Sequence, residues 1–166
     1  NFDEMLNFYP LNCKSFNVLS NASAKLIWQS DTLINSSYKI EVLHYFNSSL
    51  DTVLTSFDTT LNLPPAILNN CKPCEIKITI PEYKYNEIEI NSGILNDKER
   101  YLFEQLEKNI NQNNDLFSKV SIINLLEKNR CFSNSFYFIT MFHFDDPNNK
   151  YFLDIYNKYI SEYISQ

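Results

Sequence analysis

The groups in this sequence best suited to covalent or metal chemistry are its cysteines, Cys13, Cys71, Cys74 and Cys131. Cys71-Lys72-Pro73-Cys74 has the spacing of a thioredoxin-like redox pair, but that chemistry needs a helix opening on the first cysteine to lower its pKa. Here Pro64 and Pro65 precede the pair and the alternating run Glu75 to Ile80 follows it, so a reactive thiol is not expected. The same spacing would serve half of a four-thiolate zinc site, yet Cys13 and Cys131 stand alone and do not make the other half. The expectation is one or two structural disulfides in an oxidising compartment, or buried thiols in a reducing one, and the even count favours the first. The pairing is open among the connectivities that four cysteines permit.

The remaining candidates carry less. His44 sits in a strand-like run and His143 in an aromatic one, and neither has a serine or cysteine neighbour in a nucleophile motif, so no catalytic residue is expected. Asp145, Asp146, Asn148 and Asn149 lack the alternation of a calcium-wrapping loop, and helix capping accounts for Asp146. Glu75, Glu82, Glu87 and Glu89 fall on or near polar strand faces, where solvated carboxylates are the rule. The single glycine, Gly93, rules out a glycine-rich phosphate loop. No metal and no cofactor is expected. Tyr151, Tyr156, Tyr159 and Tyr163 recur at helical spacing and offer either a protein-binding face or the filling of a packed seam.

Composition narrows the partners. The net charge is −6 and the pI about 4.9, with no basic run, so nucleic acid and anionic membrane surfaces are not expected partners. No stretch is long and apolar enough to span a bilayer, and nothing near Asn1 reads as a signal peptide. A first residue other than Met suggests a processed or trimmed chain. With 44% hydrophobic residues in 166, the chain has enough apolar surface for a core. The sequons at Asn21, Asn35 and Asn47 are what chance gives in so asparagine-rich a chain.

Positioning these groups falls to two kinds of element. Tyr38 to Phe46, Thr52 to Phe57, Thr60 to Leu63, Cys74 to Ile80 and Glu87 to Ile90 alternate apolar and polar residues, as half-buried strands do. Ala24 to Gln29, holding Trp28, is a further strand, and residues 1–17 read as an extended leader bent at Pro10. Pro64-Pro65 ends the strand before it, because neither residue can donate to a ladder. After Gly93 the period becomes helical. Asn96 and Glu99 suggest a capping box for a helix carrying Leu102, Phe103, Leu106 and Ile110. Asn114-Asp115 opens a second helix ending near Asn129, Ser133 to Phe144 leans to helix over strand, and Asp146-Pro147 starts the last one as N-cap and first residue.

The order Leu26-Ile27-Trp28, Tyr38-Lys39-Ile40-Glu41-Val42, Leu61-Asn62-Leu63 and Lys72-Pro73-Cys74-Glu75-Ile76-Lys77-Ile78 resembles a fibronectin type III or immunoglobulin-like module, with Ile76 or Cys74 where that family keeps a core tyrosine. The repeated Leu-Glu-Lys-Asn at Leu106 to Asn109 and Leu126 to Asn129 makes the tail similar to tetratricopeptide-type repeats. The resemblance implies an α+β chain: an antiparallel β-sandwich over residues 1–93 and a helical extension of about four helices over 94–166, packed on it. It further implies a non-enzymatic interaction or scaffold module of a bacterial cell-envelope or surface protein, extracytoplasmic, with other proteins as partners. The alternatives are a cytoplasmic chain, a small thiol-redox or metal-binding protein centred on Cys71 and Cys74, and a ligand-binding domain using exposed aromatics.

Overall fold

A computed structural model describes residues 6–8, 15–19, 21–30, 37–69, 71, 73–79, 85–92 and 95–164. Strands β1 (Leu6–Phe8), β2 (Ser15–Val18), β3 (Ala24–Ser30), β4 (Tyr38–His44), β5 (Thr52–Ser56), β6 (Thr60–Leu63), β7 (Cys74–Thr79) and β8 (Tyr85–Ser92) come first, with the one-turn helix α1 (Pro65–Leu68) between β6 and β7. Helices α2 (Asp97–Asn113), α3 (Leu116–Lys128), α4 (Phe132–Asp145) and α5 (Lys150–Ile164) follow. The chain is therefore mixed α+β, with its sheets at the N-terminal side and its long helices at the C-terminal side.

The strands form a three-stranded sheet in the order β1-β3-β6 and a five-stranded sheet in the order β2-β8-β7-β4-β5. In β4 and β7 alternation sets the buried face: Tyr38, Ile40, Val42 and His44 point inward, as do Cys74, Ile76 and Ile78. All of these except His44 pack with Leu26, Trp28, Leu63, Leu68 and Cys71 in one apolar cluster. Trp28 meets Tyr38 edge to face at 5.2 Å between ring centres, a favoured arrangement of aromatic quadrupoles. Strand β3 is buried on both sides. Leu26 and Trp28 join that first cluster, while Ile27 joins a second one built with Phe103, Ile122, Phe136, Ile139 and Phe152 of the helices. That double burial explains why Leu26-Ile27-Trp28 is a continuous apolar run where β4 and β7 alternate.

The expected fibronectin type III or immunoglobulin-like sandwich is corrected here. The sheets are small, and the larger is not antiparallel throughout, because β2 runs parallel to β8 in the register Ser15↔Glu89 to Val18↔Ser92. The helices cover β3 on the face that such a module leaves to water. Alternation in the sequence shows which side of a strand is buried, but not which sheet the strand joins or in which direction it runs. The tetratricopeptide-like tail is corrected with it. The first Leu-Glu-Lys-Asn lies inside α2, while the second ends α3 with Asn129 as its C-cap, so the two are not equivalent positions of a repeat.

Local chemistry places most helix ends where the residues suggest. Asn96 Oδ1 accepts from the Glu99 amide at 2.8 Å, although the Glu99 carboxylate turns to Asn129 Nδ2 at 2.8 Å instead of closing the box. Asp115 Oδ2 accepts from the Ser118 amide and hydroxyl, and the hydroxyl bond first and the amide bond second hold its carboxyl below the ordinary value. Ser133 to Phe144 is helical within α4. The last helix departs from expectation: Asp146 closes α4, its amide bonding to the Phe142 carbonyl. Asn149 Oδ1 then caps α5 by accepting from the amides of Tyr151 and Phe152.

Candidate functional site

Cys71 and Cys74 are joined by a disulfide, with Cα atoms 4.7 Å apart. Its place follows from strand register. His44, the last residue of β4, lies directly across from Cys74, the first of β7, and both face the core. The chain turns after α1, where the Cys71 amide bonds to the Leu68 carbonyl at 3.2 Å, and this returns Cys71 to the same point. Cys71 Sγ stands 3.8 Å from His44 Nε2. On the other side of the ring, Asp51 Oδ1 accepts from the His44 backbone amide at 2.7 Å and lies 3.8 Å from His44 Nδ1. That Nδ1 is buried and makes no hydrogen bond among the described residues. Carboxylate, imidazole and disulfide thus form one line at the end of β4 and β7, in which both sulfur-bearing residues are fully buried.

The other cysteines are elsewhere. Cys13 lies outside the described residues. Cys131, at the start of α4, is a buried free thiol in the helical cluster, and burial first, then the Glu99 charge, push its pKa up to about 12. A thiol so raised is neutral at physiological pH and a poor nucleophile. His143 Nδ1 is buried without a hydrogen bond among the described residues, and its ring stacks on Tyr156 at 4.9 Å between centres. The tyrosines of α5 do not share one environment. Tyr151 is exposed and Tyr156 half-buried, whereas Tyr159 is buried, its hydroxyl donating to Glu127 Oε1 at 2.7 Å and lying 3.0 Å from Ser135 Oγ. The Tyr163 side chain lies outside what is described.

Two hollows open between the sheets and the helices. One of about 230 Å3 is lined by Pro65, Ala22, Glu107, Tyr137 and Met141; another of about 220 Å3 shares Tyr137 and Met141 and contains Lys25. Burial raises the pKa of Glu107, assisted by Glu104, and burial lowers that of Lys25 against the pull of Asp58. Among the described residues each hollow is lined by a single charged side chain, and these do not supply the acid and base pair that proton-transfer chemistry asks for.

Sequence reasoning singled out Cys71 and Cys74 but not their neighbours. The partnership of His44 needed the β4–β7 register, and that of Asp51 needed the turn after β4. The alternation Tyr38, Ile40, Val42, His44 did carry a signal, since it places a histidine on an otherwise apolar, inward face. Comparison with known proteins finds no family model that matches the chain and no curated protein similar to it.

Proposed function

We propose that the chain is a non-enzymatic protein-interaction or scaffold module of a larger extracytoplasmic, cell-envelope or surface protein, and that it binds an extended segment of another protein along β5. The observation that carries this reading is the edge of the five-stranded sheet. β5 pairs with β4 on one side, and among the described residues no strand pairs with its other side. Thr52-Val53-Leu54-Thr55-Ser56 contains none of the lysines or prolines with which sheet edges are ordinarily protected. Val53 and the following Phe57 are 59% and 86% exposed, so an added strand would find backbone donors and acceptors together with apolar side chains. The buried Cys71–Cys74 disulfide supports the extracytoplasmic part of the proposal, because disulfides persist in oxidising compartments.

Selection of a random peptide display library on the folded chain tests it. Enriched peptides should alternate apolar residues, shift the backbone amide resonances of residues 52–56, and lose at least tenfold in affinity to a Val53→Lys/Phe57→Asp variant, since that loss corresponds to about 1.4 kcal/mol. Peptides that bind both proteins equally, or no enrichment over the starting library, would defeat the reading.

A further inference from the structure

His44, Cys71 and Cys74 hold one imidazole nitrogen and two sulfur atoms within 4.8 Å of one another at a buried point. Three soft or borderline donors gathered so closely are more than a disulfide needs. In a tetrahedral zinc site, with Zn–S about 2.3 Å and Zn–N about 2.0 Å, the S···N separation is about 3.5 Å and the S···S separation about 3.8 Å. The observed 3.8 Å between Cys71 Sγ and His44 Nε2 is already close to that spacing. Cleavage of the S–S bond lets the sulfur–sulfur contact lengthen, and the freed Cys74 sulfur, which lies within 4.8 Å of the imidazole nitrogen, must draw closer to it.

The far side of the imidazole gives a second, independent observation. His44 Nδ1 is buried with no hydrogen-bond partner among the described residues, yet it faces Asp51 Oδ1 at 3.8 Å. Metal-bound histidines ordinarily give their second ring N–H to a carboxylate or carbonyl, which fixes the tautomer and aims the other nitrogen at the ion. A small approach of Asp51 would complete that arrangement.

We infer that His44, Cys71 and Cys74 form a redox-gated metal site: closed while the disulfide is intact, and open to a divalent cation of the zinc class once a dithiol reduces it. In the reduction the reductant gives two electrons and two protons; the Cys71–Cys74 bond breaks, two thiols form, and the reductant becomes its own disulfide. Binding of the cation then releases both thiol protons to solvent, leaving two thiolates and His44 Nε2 as ligands and a fourth position for water. This inference does not rest on the edge-strand reading.

Cobalt(II) is the probe, because it fills zinc sites and reports thiolate ligands through charge-transfer absorption. The protein would be titrated before and after reduction by a dithiol, with the reductant removed under anaerobic conditions, in a Cys13→Ser/Cys131→Ser background and in the unaltered chain. The expected result is no charge-transfer band in the oxidised protein and one equivalent bound in the reduced one. Asp51→Asn should weaken binding by about 10–100-fold while keeping the band. His44→Ala should weaken it further and change the visible spectrum, as loss of a nitrogen ligand requires. Circular dichroism follows the fold throughout; reduced protein that unfolds and regains its helices on adding cobalt supports the site. A folded reduced protein with no band, a band that survives Cys71→Ser unchanged, or unfolding on reduction that cobalt does not reverse would overturn the inference.

Discussion

Asn134 shows how far a single side chain can organise this molecule. Its Oδ1 accepts from the Leu19 amide at 2.8 Å, and its Nδ2 donates to the carbonyls of Leu19, Ala22 and Ser23 at 3.2, 3.3 and 3.0 Å. The residue is fully buried, so truncation would strand several backbone groups away from water. Asn134→Ala should cost about 3 kcal/mol or more by denaturant unfolding, whereas an exposed control such as Asn124→Ala should cost under about 0.5 kcal/mol. Cys131 belongs to the same scale. Its folded pKa is raised to about 12 from an ordinary 9.0, so above pH 9 the unfolded chain loses this proton while the folded chain keeps it. Stability on this account is unaffected at neutral pH and falls as pH rises from about 9 towards 12, by up to about 4 kcal/mol. The stability advantage of the native chain over Cys131→Ala should therefore shrink above pH 9 in urea titrations; a constant gap would disprove the linkage.

At the scale of elements, residues that speak for themselves were readable and residues that speak through partners were not. Asn96 and Asp115 announce helix starts because a cap needs only its own short side chain and the amides that follow it. Asp146-Pro147 looked like the same signal and was not one, since Asn149 won the cap and left Asp146 to close the preceding helix. Asn149→Ala should accordingly destabilise by about 1 kcal/mol, and Asp146→Ala by less, in thermal unfolding. Phe136 to Phe142 has strand propensity, yet it folds as helix because Phe136, Phe138, Ile139 and Phe142 are all buried there, and packing on such a scale overrides intrinsic preference. The candidate site was half legible for the same reason. Cys71 and Cys74 are close in sequence, whereas His44 and Asp51 reach them only through the pairing of β4 with β7.

At the scale of the whole molecule, β3 belongs to two clusters at once, one shared with the five-stranded sheet and one with the helices. Loss of either cluster uncovers β3, so the two should not unfold independently. Trp28 reports the first cluster by fluorescence and the far-ultraviolet helical signal reports the second; their denaturation curves should coincide, and separated midpoints would show two independent units. The clasp made by Asn134 lies on this same boundary and has a further consequence for the ageing of the protein. Asparagine before a small residue such as Ser135 is prone to lose its amide, a reaction that needs a flexible backbone which α4 denies it. Were Asn134 converted to a carboxylate, an acceptor would face the carbonyls of Leu19, Ala22 and Ser23, and the chain could not close again as before. Deamidation at this position, read by peptide mass, is thus a record of how often a stored sample has opened, and one opening of that kind would be irreversible.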